Sequence, residues 1–234
     1  MQYALFGGGD WGSWCDSLFR ELGNRGHAAI VAAGQLDAGA DAVAEFRRGA
    51  VERLARVGVR SVHVPLLRRS DADRAQALES LGGAGFVYVL GGGPDPTVRA
   101  LRGSRFWAEV LRGDRAYVGS SGGSMLLGAW YPTSLAFESV RAGLAVFKSA
   151  VIVPHWDQLD VMSRGLRERF IAEAADGVVV GIDGDTCLRG DGHSWRVVGR
   201  GSVQVRREGT WCSYEEGVRF ELPLADSGSD NLIS

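Results

Sequence analysis

The first 130 residues alternate short apolar runs with stretches in which apolar residues recur at helical spacing. The apolar runs predict strands at Tyr3–Phe6, His27–Ala32, Val62–Val64, Gly85–Leu90 and Ala116–Val118. The helical spacing predicts helices over Trp11–Leu22, Ala40–Val57, Ser70–Leu81, Thr97–Arg102 and Ser104–Arg112, with another beginning at Ser124–Leu127. Because strands alternate with helices, we expect a mainly parallel sheet with helices on both faces.

The pattern changes after about residue 176, where short strands follow one another with Gly and Asp between them. These strands are expected at Val178–Ile182, Cys187–Leu188, Ser194–Val198, Ser202–Arg206 and Thr210–Ser213. They favour antiparallel hairpins at the edge of the sheet. The whole pattern predicts one α/β domain over residues 1–220, followed by a polar, mobile tail over 221–234.

Composition narrows the classes of partner. The net charge is −2 with 23% charged residues, which gives no reason to expect nucleic acid or an anionic membrane surface. The apolar runs are too short to span a bilayer, and the N-terminal residues show no secretory pattern. The three cysteines are odd in number and widely spaced, so we expect no disulfide framework and no zinc site, which fits a cytoplasmic protein. No motif in the sequence gives a reason to expect a metal or an organic cofactor.

The segment Gly119-Ser120-Ser121-Gly122-Gly123 fits the pattern Gly-x-Ser-x-Gly between a predicted strand and a predicted helix. Such a turn exposes a nucleophilic serine and directs the next backbone N–H at the developing oxyanion. The alternative is a glycine-rich turn in which Ser120 or Ser121 caps the helix. Ser121 holds the central position of the motif, and Ser120 and Ser124 are competing assignments.

His155 is the candidate base, because it follows the apolar run Ala150–Pro154 and so lies at the carboxyl edge of the sheet. The other histidines occupy less suitable positions, at 27, 63 and 193. Spacing does not choose the acid that would orient the imidazole. Glu138 lies between the serine and the histidine in sequence, while Asp183 and Asp185 follow a strand; a Ser-His dyad is a further alternative.

Taken together, several segments resemble the S51 serine peptidases, the family of the aspartyl dipeptidase peptidase E and of cyanophycinase. The resemblance spans Gln2 to Val205 and rests on four segments: Val87–Gly93, Gly119–Ser124, Pro154–Asp157 and Gly181–Thr186. It implies a flavodoxin-like, three-layer fold related to class I glutamine amidotransferases. It also implies that Ser121 is the nucleophile, His155 the base and Glu138 the acid, with backbone N–H groups of Gly122 and of Gly92 or Gly93 forming the oxyanion hole.

The resemblance implies a small peptide as substrate, such as an Asp-X dipeptide or a β-aspartyl peptide. A substrate carboxylate requires a cation, for which Arg164 and Arg167 are candidates, although both equally fit the solvated face of a helix over Asp157–Ala175. Asp95 is a further candidate substrate-binding residue. Its loop, Pro94-Asp95-Pro96, departs from the family pattern at a position that shapes the substrate pocket.

Two other functions are compatible with the sequence. The same fold can serve as a noncatalytic small-molecule or peptide-binding protein. Nucleotide binding through Gly7-Gly8-Gly9 is less favoured, because neither a phosphate-loop Lys-Ser/Thr pair nor a dinucleotide fingerprint follows. The sequence leaves the oligomeric state open, and a homodimer is allowed.

Overall fold

The computed structural model describes residues 1–133, 137–174 and 177–225. The strands are β1 (Tyr3–Gly8), β2 (His27–Val31), β3 (Ser61–His63), β4 (Ala84–Val89), β5 (Ala116–Ser120), β6 (Trp130–Pro132), β7 (Val140–Ala142), β8 (Ala150–Pro154), β9 (Val178–Ile182), β10 (Thr186–Gly190), β11 (Ser194–Gly199), β12 (Val203–Arg207), β13 (Thr210–Tyr214) and β14 (Arg219–Glu221). The helices are α1 (Asp16–Gly23), α2 (Ala40–Arg56), α3 (Ala75–Glu79), α4 (Pro94–Leu101), α5 (Arg105–Arg112), α6 (Gly122–Met125), α7 (Leu159–Met162) and α8 (Leu166–Glu173). No helix in these ranges is both long and apolar enough to cross a bilayer.

The central sheet has the strand order β14-β11-β10-β1-β5-β4-β2-β3. Its five strands from β1 to β3 in this order pair in parallel, whereas β10, β11 and β14 extend it antiparallel. The carboxyl ends of β1, β4 and β5 therefore meet at one edge. The expected mixed α/β fold, with a mainly parallel sheet and antiparallel strands near the C-terminus, is confirmed.

Helices cover both faces of this sheet because successive strand residues point to opposite sides. On β4, Phe86 and Tyr88 belong to a core shared with α1 and α2, while Val87 and Val89 belong to a core shared with α4 and α5. The side chains from Phe86 to Val89 are all buried, which explains the uninterrupted apolar sequence of this strand.

A second sheet has the order β13-β12-β9-β8, so the expectation that the later strands all extend the first sheet is wrong. The parallel pair β8 and β9 starts this sheet, and α7 and α8 pack on it around Val151, Val153 and Phe170. The two sheets touch where His155 N donates to Gly7 O at 3.0 Å. This contact brings the end of β8 to the end of β1.

The expected helix over Ser70–Leu81 is interrupted. A short 3-10 helix at Asp71–Asp73 precedes α3, and neither Ser70 nor Asp71 caps it with a side-chain hydrogen bond. Asp71 Oδ2 instead accepts hydrogen bonds from the backbone N–H groups of Leu67 and Arg68, upstream of the helix. Similarly, the helix expected from Trp11 begins at Asp16, after a 3-10 turn at Ser13–Cys15.

The helix expected over Asp157–Ala175 is divided into a 3-10 turn at Trp156–Gln158, α7 and α8. The break falls at Gly165, whose φ of +70° is incompatible with a continuous right-handed helix. Part of the expected tail is packed: Glu221 ends β14, and Leu222 and Leu224 are buried. The packed chain thus extends at least through Leu224, and residues 226–234 lie outside the described ranges.

Candidate active site

Ser121 lies in a strained turn between β5 and α6. Its φ of 50° and ψ of −113° fall outside the regions that non-glycine residues ordinarily occupy, at a cost of about 1–3 kcal/mol. The turn is held by hydrogen bonds from Ser121 N to Phe6 O at 3.0 Å and from Ser124 N to Ser121 O at 2.9 Å. Strain of this kind at a serine between a strand and a helix is typical of a nucleophile elbow.

The three neighbouring serines have different hydrogen-bond partners. Ser120 Oγ donates to Asp10 Oδ1 at 2.7 Å, and Ser124 Oγ lies within hydrogen-bond distance of the carbonyl oxygens of Phe6 and Gly119. Both of these hydroxyls are buried, whereas Ser121 is partly exposed. Ser121 precedes α6 but makes no capping bond with its side chain, and its Oγ faces a histidine instead.

That histidine is His155, whose Nε2 lies 3.0 Å from Ser121 Oγ. His155 follows β8 in the left-handed region, with φ 51° and ψ 37°. The ring lies against Gly8, where an added Cβ would be 2.4 Å from Cε1. A residue with a side chain at position 8 would therefore displace the imidazole, so the glycine after β1 makes room for it.

Burial lowers the pKa of His155 below its ordinary value, while the negative charges of Asp157 and Asp10 act in the opposite direction. A lowered pKa keeps the imidazole neutral at pH 7. Neutral Nε2 can accept a proton from the Ser121 hydroxyl. The pair therefore has the geometry and the protonation state that a nucleophile and its general base require.

The structure does not bring an acid to Nδ1 of His155 within hydrogen-bond distance among the described residues. Glu138 is exposed on the loop before β7. Asp183 accepts hydrogen bonds from the N–H and hydroxyl of Ser202, and the Asp185 carboxylate lies against Gly9. Asp157 acts on the imidazole by charge, and its Oδ1 accepts a hydrogen bond from Gly184 N at 2.8 Å.

The three glycines expected to form the oxyanion hole lie together beside Ser121. Gly122 begins α6, so its N–H has no acceptor within the helix. The N–H groups of Gly92 and Gly93 donate to no oxygen of the described residues. Gly122 packs on the Gly92 carbonyl so closely that an added Cβ would be 2.0 Å from that oxygen, which explains why this position lacks a side chain.

The expected substrate-binding residues lie elsewhere or are already paired. Asp95 accepts hydrogen bonds from Tyr131 Oη at 3.0 Å and Arg141 Nη1 at 2.6 Å, and its other oxygen pairs with Arg99. Arg164 is exposed, in the break between α7 and α8. Arg167 donates to Trp156 O at 2.8 Å and stacks on that indole ring.

Asp10 is a buried carboxylate beside the site that the sequence reasoning missed. It is 3% exposed and accepts hydrogen bonds from Tyr88 and Ser120. Burial raises its pKa, and these two hydrogen bonds oppose the rise. A polar residue directly after Gly7-Gly8-Gly9 is typical of a solvated turn. Only the burial of Asp10 in the folded chain therefore identifies it as part of the site.

Asp10 lines a cleft of about 800 Å³ that also contains Ser121, His155 and the charged side chains of Glu45, Arg48 and Glu52. In the part of the chain that the structure describes, no group of three or more His, Cys, Asp or Glu side chains is arranged to hold a metal ion.

No family model matches the sequence, and no curated protein matches it either. Solved structures do match. A peptidase from an acI-B1 actinobacterium is 19% identical, with a TM-score of 0.80 over 94% of this chain and 96% of its own. A candidate peptidase E protein from Listeria monocytogenes EGD-e is 11% identical, with a TM-score of 0.56 over 92% of this chain and 98% of its own. The fold that the S51 resemblance implied is confirmed by these structures.

Proposed function

We propose that the chain is a serine peptidase that hydrolyses small peptides through an acyl-enzyme on Ser121. The observation that carries the proposal is the 3.0 Å distance between Ser121 Oγ and His155 Nε2, with the serine in a strained strand-to-helix turn. The similarity of 94% of the chain to the solved structure of a peptidase supports the same reaction class.

In this mechanism Ser121 Oγ attacks the peptide carbonyl carbon while its proton passes to His155 Nε2. The carbonyl oxygen becomes an oxyanion, which the N–H groups of Gly122 and of Gly92 or Gly93 stabilise. The C–N bond breaks as His155 returns the proton to the leaving amine. Water then gives a proton to His155 and attacks the acyl ester. His155 returns that proton to Ser121 Oγ as the acid product leaves, which restores the enzyme.

An orienting acid is not required by this proposal, because the described geometry is that of a Ser-His dyad. The charges of Asp157 and Asp10 favour the imidazolium that forms during each proton transfer. The acid role expected for Glu138 stays a prediction that the exposed position of its side chain does not support.

The preference for aspartyl substrates also stays a prediction. It requires a cation near Ser121, but of the two candidates Arg164 is exposed and Arg167 is bound to Trp156. Arg48 borders the charged cleft that contains Ser121, but Glu45 and Glu52 border the same cleft. Asp95 carries the wrong charge for a substrate carboxylate and is already paired with two arginines.

Labelling with a fluorophosphonate probe tests the proposal. Wild-type protein should be labelled, Ser121→Ala should not, and turnover of any peptide substrate should fall on the order of 10⁶-fold in the variant. Ser120→Ala is the matched control: its hydroxyl is committed to Asp10, so labelling of Ser121 should remain. Labelling that persists in Ser121→Ala contradicts the assignment, and unlabelled, folded wild-type protein favours the noncatalytic binding protein.

A further inference from the structure

An apolar cavity of about 330 Å³ opens beside Ser121 and His155. It is distinct from the charged cleft that contains Asp10, although the serine and the histidine border both. Its other described lining residues are Gly92, Gly93, Pro94, Gly122, Met125, Pro132, Thr133, Pro154, Leu159, Met162, Leu166 and Phe170. The far wall, formed by α7 and α8, contributes only aliphatic and aromatic side chains.

Apart from His155, no described lining residue carries an ionisable side chain. The undescribed residues cannot add a cation, because the sequence places no Lys or Arg at 134–136, 175–176 or 226–234. Among the nearby arginines, Arg99 and Arg141 pair with Asp95, and Arg167 donates to Trp156. Arg164 lies between the lining residues Met162 and Leu166 in the sequence, but it is exposed in the connection between α7 and α8 and does not line the cavity. A substrate carboxylate in this cavity would lose its hydration without gaining a cationic side chain of the protein as partner.

We propose that this cavity binds the side chain of the residue whose carbonyl Ser121 attacks, and that it selects an apolar side chain the size of Leu, Met or Phe. The inference rests on the proposed peptidase function and names its substrate class. The attacked carbonyl must lie between Ser121 and the candidate oxyanion donors Gly92 and Gly122, which all border this cavity. Ser121 and Gly92 also border the charged cleft, but Gly122 borders only the apolar cavity, so we assign the side chain on the acyl side of the carbonyl to this cavity.

The volume is at the lower end of the range for small-molecule pockets, about 300–1,000 Å³, which suits one side chain rather than a long peptide. An apolar side chain is favoured there because it leaves water for an apolar surface. The wider cleft on the other side of Ser121 carries Glu45, Arg48 and Glu52 and is open to the polar remainder of the substrate.

Protection of Ser121 from fluorophosphonate by α-aminoboronic acids tests this inference without a known substrate. Boronic acids bind the serine reversibly, so analogues with Leu, Phe or Asp side chains differ only in the group offered to the cavity. The Leu and Phe analogues should protect at concentrations about 100-fold lower than the Asp analogue. Equal or better protection by the Asp analogue overturns the inference, and so does labelling that none of the three prevents.

Met162→Arg provides a specificity switch. Met162 lines the cavity and is 42% exposed, so an arginine there can be accommodated and brings a cation to the rim. The variant should lose about 10-fold in protection by the Leu analogue and gain in protection by the Asp analogue. Val161→Arg is the matched control, since Val161 is 89% exposed on the same helix and does not line the cavity. Equal effects of the two substitutions contradict the proposed lining.

The two proposals fail in different ways. Labelling lost in Ser121→Ala together with a preference for the Asp analogue preserves the peptidase proposal and rejects the apolar subsite. Absence of Ser121 labelling in folded wild-type protein rejects the peptidase proposal itself.

Discussion

Ser120 Oγ donates a 2.7 Å hydrogen bond to Asp10 Oδ1, although the two residues are 110 positions apart in the sequence. The bond fastens the residue before the candidate nucleophile to the loop after β1. Tyr88, on β4, donates to the other oxygen of the same carboxylate. Three neighbouring strand ends are thus joined through one buried acid that borders the same cleft as Ser121.

Tyr88→Phe tests the contribution of this network to stability. The substitution conserves the ring and removes one of the two side-chain hydroxyls that donate to a carboxylate that is 3% exposed. Loss of a donor to a buried acceptor should lower the free energy of unfolding by about 1–3 kcal/mol, measured by urea denaturation. Tyr3→Phe is the control, because Tyr3 is also buried but its hydroxyl has no partner among the described residues. An unfolding free energy equal to wild type in Tyr88→Phe would contradict the importance of the bond.

The pH dependence of kcat/KM should report His155. The base acts in its neutral form, so activity should fall as pH decreases through the pKa of the imidazole. Burial lowers that pKa, so the pH at which kcat/KM is half of its maximum should lie below about 6.5, the ordinary pKa of histidine. A midpoint above that pH would show that burial does not control the titration.

Asp157→Asn should shift the acidic side of the pH profile of kcat/KM to lower pH. The charge of Asp157 raises the pKa of His155, so its removal should lower that pKa. Because the same charge favours the imidazolium formed during proton transfer, activity at pH 8 should also fall. Asparagine keeps Oδ1 as acceptor for Gly184 N. Asp160→Asn serves as comparison, since Asp160 is exposed and its charge is not among the causes of the shift. Identical profiles for wild type and Asp157→Asn would refute the electrostatic effect.

Glu138→Gln distinguishes a dyad from a triad. The Glu138 side chain is exposed on a loop, so the variant should keep kcat within about two-fold of wild type, measured on the best dipeptide substrate. If Glu138 orients His155 during turnover, loss of its charge should instead reduce kcat on the order of 10⁴-fold.

Gly122→Ala should destabilise the nucleophile turn. A Cβ at this position would be 2.0 Å from Gly92 O, and the backbone oxygen has little freedom to move. We expect the free energy of unfolding to fall by about 1–3 kcal/mol, measured by thermal or urea denaturation. Gly93→Ala is the stability control, because its φ is −61° and the nearest atom to an added Cβ is Pro96 Cδ at 3.7 Å. Equal stability of the two variants would contradict the close packing at Gly122.

The sequence predicted the strands that carry the site because their apolar runs are local patterns. Tyr3–Phe6, Gly85–Leu90 and Ala116–Val118 correspond to β1, β4 and β5 within two residues at each end. The helix expected over Asp157–Ala175 is wrong because periodicity does not register the backbone break at Gly165. Because of that break, Arg164 lies in the connection between α7 and α8 and not on a helix face, where the sequence placed it.

The sequence by itself determined the alternation of strands and helices, the turn at Ser121 and the position of His155 after a strand, since each depends on neighbouring residues. Only the tertiary structure decided which serine faces the histidine, which carboxylates act on its pKa and what lines the cavity. Those properties depend on contacts between segments far apart in the chain. The residues next to Asp10 in the sequence predict a solvated turn residue. In the folded chain Asp10 is a buried acid bound by Tyr88 and Ser120, because desolvation and hydrogen bonding depend on the three-dimensional structure.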